Sequence, residues 1–193
     1  MKKLHVDRFL PFLFFLFVCL LTTVLYATIP LDVSWVLLLE LYGCLLLVFL
    51  MSFVPIPKIF SWYVVIHFGM ALCLGTIFNF YNRIFFWDLL LHAYFGWMIS
   101  HFFYWLCRGK ISGFFLLAVV LFLISMGGAA LWECMEYGMD TLFSMDTQKI
   151  AESIANGKSP VADTMEDILI TMVGSLSFLG YLFIKERRIA LKK

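Results

Sequence analysis

The chain has 193 residues, of which 63% are hydrophobic and only 14% are charged. A soluble domain of this size cannot bury so large an apolar fraction. The net charge of +1 says nothing about nucleic acid, but the sequence has no basic patch interleaved with aromatic residues. The composition therefore predicts an all-α, polytopic membrane helix bundle. The five cysteines lie in or beside apolar runs, which is typical of small apolar side chains and not of a disulfide framework.

Six apolar stretches follow one another along the chain, and each approaches the roughly 20 residues that a helix needs to cross a bilayer. We predict transmembrane helices over residues 9–27, 31–53, 61–79, 87–106, 113–137 and 164–184. Chain breakers such as Pro30, Pro55 and Gly109 lie between them. We expect one integral membrane domain over residues 1–193, embedded in membrane lipid.

The basic residues predict the orientation. With six spans both termini share one side, and that side holds 11 of the 14 Lys and Arg residues. The other side holds Arg83, Lys149 and Lys158. Because basic residues accumulate in cytoplasmic loops, we expect both termini in the cytoplasm and a multi-pass protein of the bacterial inner membrane.

Acidic residues show the opposite bias and gather at the outer ends of the last three spans. They are Asp88, Glu133, Glu136, Asp140, Asp163, Glu166 and Asp167. Ionisable groups at membrane depth are costly and usually face a protein interior or a water-filled cavity. We therefore expect the three ends to meet around one site. The outer loop 138–162 contains a predicted short surface helix, 147–156, which we expect to cover that site.

Glu133, Glu136 and Asp140 recur at spacings of three and four, so they share one face of a helix. A solvated helix end explains Asp140, but Glu133 directly follows a long apolar run. Asp88 and His92 are four residues apart. They predict either a ligand or acid–base pair, or a helix N-cap bonded to a buried histidine.

Asp163 and Glu166 have the spacing of a capping box, which is a structural motif. Capping does not explain Asp167, which lies deeper among apolar residues and shares a face with Asp163. This third motif therefore has a structural and a functional interpretation.

Clustered carboxylates in a low-dielectric site either take up protons or bind a cation. The predicted metal ligands are Asp88, His92, Glu133, Glu136, Asp163 and Asp167. Carboxylates with one imidazole suit Mg²⁺, Mn²⁺, Fe²⁺ or Zn²⁺. The alternative is a shared-proton network with Arg83 as its counter-ion, and Glu40 within the second span is a further candidate member.

These motifs resemble those of the YjdF-type family of uncharacterised bacterial inner-membrane proteins and, more distantly, those of VanZ-like proteins. The shared pattern is D-x-x-x-H at Asp88/His92, E-x-x-E at Glu133/Glu136, and D-T-x-x-D at Asp163/Asp167 with Gly174 beyond. The chain departs from the VanZ-like pattern at Thr171, where that family usually has asparagine. The VanZ-like resemblance implies chemistry at the cell envelope.

Three functional hypotheses follow. The first is a metal-dependent membrane enzyme, in which His92, Glu133 and Asp167 are catalytic and metal-activated water attacks a lipid-linked envelope substrate. The second is a non-enzymatic small transporter, or an envelope lipid- or partner-binding protein, that uses the acidic cluster as a cation or proton site. In the third, the acids only cap and tie the helix ends.

Overall fold

The computed structural model describes residues 6–29 and 34–191, which are helical and contain no strand. A 3₁₀ turn at Val6–Arg8 precedes the first helix. The helices are α1 (Leu10–Thr28), α2 (Val36–Met51), α3 (Lys58–Phe68, continued by a π-helical stretch over Gly69–Ile77), α4 (Phe80–Arg83), α5 (Trp87–Cys107), α6 (Phe114–Phe143), α7 (Ile150–Ala155) and α8 (Ala162–Ala190). This confirms the predicted fold class.

Within the described part of the chain, four helical segments are long and apolar enough to cross a membrane: Leu10–Thr28, Lys58–Ile77, Phe114–Phe143 and Ala162–Arg188. Helix α2 is also apolar but has only 16 residues, and α5 has the length of a span with 21 residues. Large apolar side chains are exposed on these helices, such as Phe17 (63%) and Phe115 (81%). Such side chains suit contact with lipid, so the chain is a multi-pass helical membrane protein.

Some helix ends differ from the predicted spans. Helix α6 runs to Phe143 instead of residue 137, and α8 covers Ala162–Ala190 instead of 164–184. Both extensions carry polar residues, and a span predicted from hydropathy ends where such residues begin. The helix itself can continue outside the apolar layer. Several sequence predictions fall outside the described residues. They are the start of the second span at Leu31, the breaker Pro30, and the lysines at positions 2, 3, 192 and 193.

The chain divides into two compact units, Met1–Trp87 and Asp88–Lys193. In the first unit Phe15 and Cys19 of α1, Leu41 of α2 and Phe60 of α3 are buried. The second unit contains α6, α7, α8 and all of α5 except Trp87. All six predicted metal ligands therefore belong to the second unit, whereas a single domain over the whole chain stays a prediction.

An apolar cluster fills the second unit away from the acidic residues. Its members are Leu117 and Leu121 of α6 and Phe178, Leu179 and Leu182 of α8, with Trp97, Phe103 and Tyr104 of α5 packed against them. The rings of Trp97 and Phe178 meet edge to face, with their centroids 5.4 Å apart. This cluster joins α5, α6 and α8 into one bundle.

Helices α5 and α8 approach each other closely because two glycines lie at their contact. A Cβ atom on Gly174 would collide with the backbone of Ala93, and one on Gly96 would collide with the backbone of Thr171. Small residues commonly permit such approaches in membrane helices. Below them, the hydroxyls of Ser100 and Ser175 share a hydrogen bond of 2.9 Å, with both residues fully buried.

Replacement of Gly174 by alanine should lower the free energy of unfolding by about 1–3 kcal/mol, because the added methyl group meets rigid backbone. Unfolding of the detergent-purified protein would measure the effect. Gly180→Ala is the matched control on the same helix, since a Cβ there meets no atom within 4 Å among the described residues. That control should be neutral or stabilise by up to about 1 kcal/mol. Equal stability of the two variants would contradict the close contact.

Candidate metal centre

The acidic residues meet at one end of the second unit, where α5 and α8 begin and α6 approaches its C-terminus. Asp88 and His92 lie on the first two turns of α5, one turn apart. Asp163 and Asp167 have the same relation on α8. Helix α6 runs in the opposite direction, so Glu133 and Glu136 reach this end late in the helix.

Asp88, His92 and Asp167 form the first group. His92 Nε2 lies 3.7 Å from Asp88 Oδ1 and 3.5 Å from Asp167 Oδ2. One ligand atom from each residue lies within 4.8 Å of the others. His92 and Asp167 are 7% and 2% exposed, so the imidazole is held between two carboxylates with little access to water.

Glu133, Glu136 and Asp167 form the second group, and their ligand atoms also lie within 4.8 Å of one another. Glu133 is buried, with 5% of its surface exposed. Glu136 Oε1 accepts a hydrogen bond of 2.9 Å from the indole nitrogen of Trp132, one turn earlier on α6. Asp167 belongs to both groups and is therefore the centre of the site.

Two carboxylate oxygens of the second group are buried without a hydrogen-bond donor. These are Glu133 Oε2 and Glu136 Oε2, for which none of the described residues provides a partner. Leaving a buried acceptor unsatisfied costs about 1–3 kcal/mol, and more for a charged group. A bound proton or cation between the two glutamates would remove that cost.

Lys149 is a site residue that sequence reasoning did not identify. Its ammonium contacts Asp88 Oδ2 directly and lies 3.7 Å from Asp163 Oδ1. Burial alone would lower the pKa of Lys149, but the neighbouring carboxylates, chiefly that of Asp88, outweigh burial and raise this pKa above its ordinary value. Lys149 is therefore charged at neutral pH. The available signal was a basic residue on the outer side, where only three of the 14 Lys and Arg residues were expected.

A carboxylate on α6 holds the segment that carries Lys149. Asp140 Oδ1 accepts hydrogen bonds from the backbone nitrogen and the hydroxyl of Thr147, at 2.7 and 2.6 Å, and Oδ2 accepts one from the backbone nitrogen of Gln148 at 3.1 Å. Lys149 itself has a φ of 46°, a left-handed conformation that costs a residue with a side chain roughly 1–2 kcal/mol. Asp140 therefore acts as an anchor for this loop.

Asp146 fixes the start of α7 in a similar way. Its Oδ1 accepts a hydrogen bond of 2.9 Å from the backbone nitrogen of Ile150. The helix that follows covers Ile150–Ala155 and is therefore shorter than the predicted helix 147–156. Lys149 immediately precedes this helix and contacts Asp88 at the acidic end.

The capping interpretations fit less well. Helix α5 begins at Trp87 and α8 at Ala162, so Asp88 and Asp163 lie inside the first turns. Both carboxylates face Lys149 instead. Glu166 is exposed and pairs with Lys158 at 2.9 Å. Arg83 and Glu40 lie in the first unit, and their participation in the site stays a prediction.

The arrangement can support two kinds of chemistry. Five carboxylates and one imidazole offer oxygen and nitrogen ligands for a divalent ion. A buried imidazole between carboxylates can also accept and release a proton. Lys149 supplies one positive charge, so the remaining carboxylates need further cations or protons to coexist.

Residues 9–188 match the model of a family described as "Predicted membrane protein (DUF2238)". An uncharacterized protein from Thermotoga maritima is 30% identical over 120 residues, which are 58% of this chain and 56% of that relative. The chain thus spans little more than half the length of this relative. No solved structure matches the chain. The YjdF-type resemblance fits the matched family broadly. Because the match extends over most of the chain, the protein belongs to the DUF2238 family of predicted membrane proteins.

Proposed function

We propose that this protein binds a divalent cation at the acidic end of α5, α6 and α8 and uses it as the centre of a membrane enzyme. The observation that carries the proposal is Asp167. It is 2% exposed and shared by two groups whose ligand atoms lie within 4.8 Å. The unpartnered buried oxygens of Glu133 and Glu136 give an independent reason for a cation there. Carboxylates at this density repel each other unless a cation or protons join them.

The donor set suggests the ion and the reaction. Carboxylate-rich sites with one imidazole suit Mg²⁺, Mn²⁺, Fe²⁺ or Zn²⁺. Such an ion can activate water for hydrolysis. His92 and Glu133 would exchange protons with the reacting water, and Asp167 would orient the ion. The distribution of basic residues, by the positive-inside rule, places the site on the outer side of a bacterial inner membrane in this proposal.

The substrate class follows from this location. A buried site at the end of lipid-facing helices is accessible to lipid-linked molecules, so we propose a lipid-linked ester or phosphate of the cell envelope. The distant VanZ-like resemblance supports envelope chemistry, although this chain has Thr171 at the usual asparagine position. The whole set of six predicted ligands, including Asp88 and Asp163, would line the site.

Glu133→Ala and Asp167→Ala should each abolish stoichiometric binding of a divalent metal, because each removes a ligand from a site with few alternatives. Elemental analysis of the purified protein, followed by titration with Mn²⁺ and Zn²⁺, would measure this loss.

Glu166→Ala is the matched control for both variants. Glu166 lies one residue before Asp167 but is exposed and paired with Lys158, and such pairs contribute about 0–1 kcal/mol. Equal metal content in the control and both site variants, or no metal in the unmodified protein after titration, would exclude the metal site.

Proton or cation transport is the second candidate, and one observation favours it. Thr171 and Ser175 follow Asp167 at successive turns of α8, and both are fully buried. None of the described residues partners the hydroxyl of Thr171, and Ser175 bonds to Ser100 on α5. These residues form a polar column that leads from Asp167 towards the middle of the bundle.

A transport function predicts that protein reconstituted in liposomes conducts protons or a monovalent cation. Glu136→Gln should then abolish the flux, because it removes a carboxylate that can bind a proton or cation beside Asp167, whereas Glu166→Gln should retain it. Flux through the unmodified protein that equals flux through empty liposomes would exclude this candidate.

A further inference from the structure

Lys149 occupies one flank of the acidic end. Its ammonium contacts Asp88 Oδ2, and Asp88 belongs to the first ligand group together with His92 and Asp167. Asp163 Oδ1, at 3.7 Å, is a second carboxylate oxygen beside this ammonium, and neither Asp88 nor Asp163 belongs to the second ligand group. The contacts that the structure shows for this lysine therefore lie on the side of the first group, which is an asymmetry between the two groups.

This asymmetry matters because an ammonium and a divalent ion repel each other. A metal held by Asp88 would lie beside the positive charge of Lys149 in a site with little water, where Coulomb energies are several times larger than in bulk solvent. The second group shares Asp167 with the first and contains Glu133 Oε2 and Glu136 Oε2, which are buried without a hydrogen-bond donor among the described residues. The cation is thus favoured at the second group and opposed at the first.

The position of Lys149 is fixed by the segment that carries it. Thr147 and Gln148 donate three hydrogen bonds to Asp140, and the side-chain amide of Gln148 donates one of 3.1 Å to the hydroxyl of Thr164 on α8. The residues before Lys149 are thus bonded to both α6 and α8, which fixes where the lysine lies. The side chain of Lys149 is 27% exposed and its backbone adopts a left-handed conformation.

We propose that Lys149 is a cation held in place beside Asp88, and that this ion pair keeps Asp88 from binding a metal. The divalent metal is thereby directed to Glu133, Glu136 and Asp167. The inference rests on the proposed metal-binding function and adds which of the two groups holds the ion. Lys149 is a specificity-determining residue in this scheme, since its charge sets both the location and the affinity of the metal.

Lys149→Met should raise the affinity for Mn²⁺ by about tenfold or more, because it removes a nearby positive charge and releases Asp88 as a ligand. Lys149→Arg retains the charge and should leave the affinity near that of the unmodified protein. In the double variant Lys149→Met/Asp88→Asn, the released ligand is removed and much of the gain should disappear. Isothermal titration of the full-length protein in detergent with Mn²⁺ measures all four affinities.

The outcomes separate this inference from the function on which it rests. Mn²⁺ binding with equal affinity in the unmodified protein and Lys149→Met overturns the role of Lys149 and leaves the metal site intact. If the double variant keeps the full increase in Mn²⁺ affinity, Asp88 is not the ligand that Lys149 withholds from the metal, and the proposal is overturned. Absence of Mn²⁺ binding in every protein refutes the metal site, and this inference with it.

A second variant covers the case in which Lys149→Met does not fold. Asp140→Ala keeps the lysine but removes the acceptor for Thr147 and Gln148, so hydrogen exchange at these two amides should accelerate. The affinity for Mn²⁺ should rise in the same protein, because the ammonium is no longer held beside Asp88. Faster exchange with unchanged affinity would overturn the proposal.

Discussion

The second unit depends on one electrostatic constraint, which is the burial of several carboxylates beside the ammonium of Lys149. Asp167 is the most buried member, and Glu133 is nearly as inaccessible. Charged groups placed out of water are strongly destabilising unless they are paired or lose their charge. Lys149 pairs with Asp88 and lies near Asp163, at one side of the cluster. The glutamates on α6 need another partner, and this requirement is the physical reason to expect a cation or protons there.

The glycine contact between α5 and α8 makes this burial geometrically possible. Gly174 lies seven residues beyond Asp167, and Gly96 lies four residues beyond His92. Close backbone approach at these glycines brings the imidazole to 3.5 Å from the carboxylate. Larger residues would separate the helices and admit water between the two groups. The apolar cluster around Phe178 then holds the opposite half of the bundle together.

The sequence predicted the fold class because apolar composition and span length are properties of the chain alone. The grouping of Asp88, His92, Glu133, Glu136 and Asp167 was also predictable in outline, since their spacing and their positions at helix ends required only that three ends meet. Whether these residues bind metal stays a prediction.

Lys149 and Asp140 were less predictable, because their roles depend on how a loop folds back on the bundle. Asp140 continues the periodicity of Glu133 and Glu136, so sequence pattern grouped it with them. The helix extends past it, and its carboxylate instead accepts bonds from Thr147 and Gln148. Hydropathy and periodicity contain no information about such side-chain contacts with a loop.

The two candidate functions make different demands on the bundle beneath Asp167. Transport requires a polar path on both sides of the site, whereas catalysis requires access from one side only. The polar column reaches Ser100 and Ser175, and Leu121 and Phe178 of the apolar cluster are 0% and 1% exposed. A closed apolar cluster at this position would have to open in every transport cycle, at the cost of the packing that joins the three helices. This packing is the physical reason to place the proposed one-sided cation site ahead of the transport candidate.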